Sequence, residues 1–160
     1  WAVWTRPELI RSWFGSSLGF RAHDIAVDLR PGGRWSLRNV NGAVTEYVSG
    51  TYHEVEPTSR LVYSYHFEGT DFFSVISADL TPDGDGTRLH FLQTGFPDAD
   101  ARIEHARGWP QAIRVMGEAL LAMHGIGTLW PKLPEKRHID GVAEDLEAAR
   151  ARLLEENSAK

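Results

Sequence analysis

Between Asp98 and about Met123 the chain carries one long amphipathic stretch, in which Ala106, Trp109, Ile113, Met116 and Leu120 recur at three- and four-residue spacing. Arg107, Gln111, Arg114 and Glu118 fall mostly on the opposite side, so the spacing predicts a helix with one apolar face. Such a face has to be laid against another element. Everything from Ile25 to Phe91 reads as strand, which makes a helix packed on a sheet the arrangement to expect. Asp98 is placed to cap the helix after a turn through Gly95, Phe96 and Pro97. Pro110 lacks an amide hydrogen and crowds the Ala106 carbonyl, so the pattern predicts a kink or a fresh helical start there. Gly108, with no side chain, is expected to let the helix approach the sheet while Trp109 points inward.

The strand tract is legible as a series of hairpins. Ile25, Val27 and Leu29 alternate with Asp24, Asp28 and Arg30; Pro31, Gly32 and Gly33 turn the chain, and Trp35 and Leu37 open an antiparallel neighbour. Asn41 and Gly42 turn into a strand from about Thr45 to Val55, where Gly50 suggests a bulge or bend. Leu61, Tyr63, Tyr65 and Phe67 alternate with Val62, Ser64 and His66. Phe73 to Leu80 and Thr87 to Thr94 follow, the last presenting Leu89, Phe91 and Gln93 on one face. The sum is about six antiparallel strands in a meander, since the connections are too short for parallel crossovers. Before them, Thr5 as cap, Pro7 and Glu8 predict a short helix burying Leu9, Ile10, Trp13 and Phe14. The opening on Trp1, Val3 and Trp4 suggests that the numbering starts in mid-element.

A length of 160 residues fits one core, and the net charge of −5 gives no general attraction to nucleic acid or acidic lipid. The chain has no cysteine, which excludes disulfides and thiolate chemistry. No signal-peptide pattern or membrane-length apolar run is present, so a soluble cytoplasmic protein is the default expectation. Gly125, Gly127, Pro131 and Pro134 break the long helix, dividing a domain of residues 1–134 from an extension, 135–160. In that extension Val142, Leu146, Ala149 and Leu153 form a thin helical stripe, suited to packing on the domain or to a homodimer or partner-protein contact.

Several segments together carry a family resemblance: Trp4 to Glu8, Trp13 to Gly15, Asp28 to Trp35, Gly50 to Pro57, Arg60 to Tyr63, Leu80 to Pro82, Gly86 to Leu89, and Gly108 with Trp109. In combination they resemble the domain family named for the activator of Hsp90 ATPase, within the broad START and birch-pollen-allergen-like superfamily. The likeness runs to about His124 and leaves the tail from Ile139 outside. It implies an α+β helix-grip fold, in which a curved antiparallel sheet wraps a long C-terminal helix around a ligand cavity. It also implies that the family's first strand precedes Trp1.

The family's cavity serves carriage, cyclase-like and lyase-like enzymes and chaperone-associated domains, so the job has to be read from the residues. Trp35, Tyr63, Tyr65, Phe91 and Gln93 from the sheet, with Trp109, Ile113 and Met116 from the helix, would form a largely apolar wall for a small aromatic or polyketide-like molecule. Gln93 must find a partner among them. A bulge at Gly50 would bring Glu46 and Tyr52 into the pocket as a polar pair. The competing classes are an enzyme using Tyr65 or Gln93 as donor to a developing oxyanion, and a protein-interaction module. No cofactor is expected. The seven histidines lack metal-ligand spacing, so no metal is expected either; His66 and His90 alternate with inward residues and should face out.

Overall fold

The structure is a computed structural model that describes residues 1–123. The expected 135–160 extension and its helix lie outside the described residues. Two short helices, α1 (Ala2–Thr5) and α2 (Pro7–Trp13), lead through a 3-10 turn (Ser16–Leu18) into six strands. These are β1 (Arg21–Val27), β2 (Arg34–Asn41), β3 (Val44–Glu56), β4 (Arg60–Phe67), β5 (Phe73–Asp83) and β6 (Gly86–Thr94). They form one antiparallel sheet in the order β1-β2-β3-β4-β5-β6. The long helix α3 (Ala99–Met123) closes the described chain, and the Asp98 carboxylate accepts from the Ala101 amide at 2.8 Å, as a capping residue should. The α+β meander and long helix that the alternation predicted are present.

Strand periodicity decides what is inside. Trp35, Leu37 and Asn39 on β2, Tyr63 and Tyr65 on β4, and Ile76 and Ala78 on β5 are buried on the face that meets the helices. On the outer face Arg60 bridges Glu54 and Asp79, and hydrogen bonding to that guanidinium holds the Asp79 carboxyl below its usual range. His90 stands beside Asp79 with its side chain 75% exposed, as alternation with Phe91 requires.

At one end the core is filled by aromatic side chains. Trp4 packs on Trp13 and Phe91 at centroid distances of 5.6 and 6.0 Å, and Trp35 meets Tyr63 edge-on at 5.6 Å. Each buried indole has a polar partner: Trp4 donates to the Tyr63 hydroxyl (3.0 Å), Trp13 to the Val3 carbonyl (2.9 Å) and Trp35 to the Ser64 carbonyl (3.1 Å). The space left among these groups is about 20 Å³, enough for about one water molecule.

Four local expectations are corrected. Thr5 does not cap α2: it is buried at the end of α1, where its hydroxyl donates to the Trp1 carbonyl, and Arg6 takes the cap position before Pro7. Gly50 is not a bulge, because β2 and β3 stay in register from Arg34 to Asn41; the shift falls on the other side, between Tyr52 and Glu54 against β4. What Gly50 provides is close approach, since a Cβ there would overlap the Ser64 carbonyl oxygen and the Trp35 indole nitrogen. Of the two alternatives at Pro110, the fresh helical start is the one that fails, as α3 runs from Ala99 to Met123 with the proline inside it. The inward face of α3 is also rotated from the predicted one: Ala106 is exposed, and the face runs through Ala101, His105, Gly108, Trp109, Ala112 and Met116. Trp109, Met116 and Leu120 of the predicted stripe do pack on the core, but near the cavity the face includes glycine, alanine and histidine, which hydrophobicity alone does not mark.

Candidate functional site

Beyond the packed end, the sheet and α3 part around a cavity of about 600 Å³ that opens to solvent. Its size follows from what is missing. A Cβ on Gly108 would meet nothing within 4 Å, so this glycine lines open space and does not bring helix and sheet together, contrary to expectation. Ala112 one turn after it and Ala101 two turns before it contribute the same shortness.

The wall is aromatic. Tyr65 and Phe67 meet edge-on at 5.4 Å, Phe67 and Phe72 at 5.2 Å, and the His105 imidazole stacks on Phe72 at 4.7 Å with 15° between the planes. His105 Nδ1 donates to the Ala101 carbonyl one turn back at 2.9 Å, which fixes the ring and directs its other nitrogen away from the helix axis. Phe14 covers Tyr65 from the α2 side, the rings nearly parallel at 6.2 Å.

Among the described lining residues the carboxylates are all on one side of the charge balance. Asn39 is only 4% exposed, and its Oδ1 has no hydrogen-bond partner among the described residues. Directly across the strand pair stands Glu46, half-buried, with its carboxyl pushed above the usual range by burial. The Glu46 charge reaches Tyr65, whose phenol is pushed well above its ordinary value first by burial and then by that carboxylate. Tyr65 therefore stays protonated and is a hydrogen-bond donor, never a base, at physiological pH. Glu68 and Glu104 lie exposed at the rim, and among the described residues no lysine or arginine lines the cavity.

Of the residues expected to form the wall, Tyr65 and Trp109 line this cavity. Trp35 and Tyr63 sit in the packed end, Phe91 lies beneath Trp109 at 4.4 Å, and Met116 is buried in the core. Ile113 falls one position off the inward face and is half-buried on its flank. Gln93 finds protein partners: its amide nitrogen donates to Ser74 Oγ at 2.8 Å, and its oxygen accepts from the Trp109 indole. Glu46 and Tyr52 do not pair, because six residues of extended strand separate them by about 20 Å, leaving Glu46 at the cavity and Tyr52 in the packed end. Phe72, His105 and Asn39 were not foreseen. Asn39 had a legible signal, since an amide occupies the third inward position after Trp35 and Leu37.

An acceptor buried without a partner is unfavourable, and replacing it by an apolar group of the same shape removes that penalty. Asn39→Leu is therefore expected to stabilise the unliganded protein by about 1 kcal/mol, seen as a higher urea midpoint with an unchanged slope. A fall in the midpoint would mean that the amide is satisfied in solution.

Among the described residues no group of three histidine, cysteine or acidic side chains is arranged to hold a metal ion, and no helix is long and apolar enough to cross a membrane. Residues 1–120 match the family model described as activator of Hsp90 ATPase homolog 1-like protein. Solved structures with the same fold include a Chromobacterium violaceum protein at 22% identity and TM-score 0.67, over 73% of this chain and 83% of that one. An Aeromonas hydrophila protein, itself described as AHSA1-like, has 20% identity and TM-score 0.64 over 80% and 85%. CalU16 from Micromonospora echinospora has 28% identity and TM-score 0.53 over 79% and 70%. No protein with a curated description matches the chain.

Proposed function

Since the chain belongs to the activator of Hsp90 ATPase homolog 1-like family, whose fold commonly encloses ligands, we propose that it binds a small, mostly apolar molecule between the sheet and α3. The observation that supports this reading is the contrast between the two ends of one core. At the Trp4 and Trp35 end the aromatic side chains interdigitate and leave about 20 Å³, whereas at the Tyr65 and Phe72 end a cavity of about 600 Å³ stays open. A volume of that order suits a small organic molecule, and its predominantly aromatic lining with a few polar groups is the composition of such sites. Leaving it empty would forgo the dispersion and burial that the other end gains. Among the described residues the wall offers aromatic surface and few polar groups, which favours binding as the reading we adopt.

Gly108 supplies the test, because a Cβ there meets nothing within 4 Å and a larger side chain would extend into the cavity. Gly108→Leu is expected to hold or raise stability, since leucine is the better helix former by about 0.5–1 kcal/mol. It should also weaken uptake of a neutral solvatochromic naphthalene dye at least about tenfold, equivalent to about 1.4 kcal/mol. Fluorescence titration of parent and variant measures both affinities. Equal uptake by the two would place any bound molecule elsewhere and remove the reading.

A further inference from the structure

The formal charge in this cavity is one-sided, and that narrows what fits it. At the rim stand the Glu68 and Glu104 carboxylates, further in the half-buried Glu46, and across the strand pair from Glu46 the Asn39 oxygen, buried and unpartnered. The two indole donors in the wall are already committed, Trp13 to the Val3 carbonyl and Trp109 to Gln93, which leaves the Tyr65 hydroxyl as a neutral donor that carries no charge to answer the carboxylates. The Thr70 hydroxyl likewise donates to the Phe67 carbonyl. The carboxylates facing the space come from β3, from the turn after β4 and from α3, and among the described residues no lysine or arginine joins them in the lining. Around them, Tyr65, Phe67 and Phe72 present aromatic faces and edges in mutual contact.

Resting on the binding reading above, we propose that the cavity selects molecules carrying a protonated amine beside a flat apolar body. Each alternative leaves something unsatisfied. An anion meets three carboxylates without a counter-charge. A pure hydrocarbon covers the aromatic wall but leaves Asn39 Oδ1 unpaired and withdraws water from Glu46. A neutral alcohol can donate to Asn39, yet it answers none of the charge. An ammonium group donates to the amide oxygen, neutralises Glu46 through a charge-assisted hydrogen bond, and lies against aromatic rings that favour a cation. Burial raises the Glu46 carboxyl, the state expected of an acid whose counter-ion arrives with the ligand.

Three probes with one ring system separate the outcomes: naphthylethylammonium, its uncharged counterpart ethylnaphthalene, and naphthylacetate. Equilibrium dialysis against the full chain is expected to rank them in that order, the amine binding at least about tenfold tighter than the hydrocarbon. In Glu46→Gln, and independently in Asn39→Leu, the amine-to-hydrocarbon preference should shrink several-fold. Hydrocarbon binding as tight as amine binding would overturn the charge selection while leaving the apolar pocket in place. The same follows if naphthylacetate binds best, or if the preference survives undiminished in both variants. Retention of none of the three probes would defeat the pocket itself, and this inference with it.

Discussion

Trp109→Ala is expected to remove about 3–5 kcal/mol of stability, the range for deleting a large aromatic side chain from a packed site. The indole does three things at once. It lies on Phe91 at 4.4 Å, stacks nearly parallel to Trp4 at 6.5 Å, and donates to Gln93, whose own amide donates onward to Ser74. Truncation therefore opens a void beside two aromatic neighbours and leaves the Gln93 oxygen without its donor. Trp109→Phe keeps part of the ring contact but not the donor, so it should fall between parent and alanine, about 1–3 kcal/mol below parent. Because Trp109 also borders the cavity, naphthylethylammonium should restore part of the alanine variant's loss if the probe extends into the void. Urea titrations of the three proteins, with and without the probe, measure these shifts. An alanine variant as stable as the parent would mean that Trp109 does not join α3 to the sheet, and the placement of the cavity against this helix would fall with it.

Gly50→Ala should be more damaging still for a single methyl group, at about 4 kcal/mol or more, so that little folded protein accumulates. The reason is local and steric. Gly50 pairs with Trp35 across β2 and β3, and the indole crosses over it to donate to the Ser64 carbonyl on the next strand. A Cβ would coincide with that carbonyl oxygen and with the indole nitrogen. Backbone cannot step aside as a flexible side chain can, so either β3 parts from β4 or the Trp35 hydrogen bond is lost. Thermal unfolding followed by tryptophan fluorescence decides the matter. A variant melting within a few degrees of the parent would show that the strands are not held this close. Gly108 provides the internal contrast, since one glycine is required by contact and the other leaves space.

The two large effects fall in segments that sequence reasoning singled out for partly different reasons. Trp109 was legible as an inward residue because helical spacing and the surrounding apolar pattern agree, and the same agreement holds for Met116. Gly50 was legible as unusual, since glycine weakens a strand interior unless something requires it. Its actual role depends on the Trp35 side chain from another strand and the Ser64 backbone from a third, which only the folded register brings together.

The antiparallel meander, the long helix α3 and the inward alternation of Tyr63 and Tyr65 are legible in the chain because each is written in a local period of two or of about 3.6 residues, and the Asp98 cap because its residue type suits that position. Tertiary structure alone decided where the core closes and where it stays open. Trp35, Tyr63, Tyr65 and Phe91 share one pattern, yet Trp35 and Tyr63 are sealed among tryptophans, Tyr65 borders the cavity, and Phe91 lies under Trp109. Periodicity reports which face a side chain takes, but not how far away the opposing element lies. The open space is left where α3 presents little or no side chain, at Gly108, Ala101 and Ala112, while long-range packing turns His105 onto Phe72 and leaves the Asn39 oxygen across from Glu46 without a partner among the described residues.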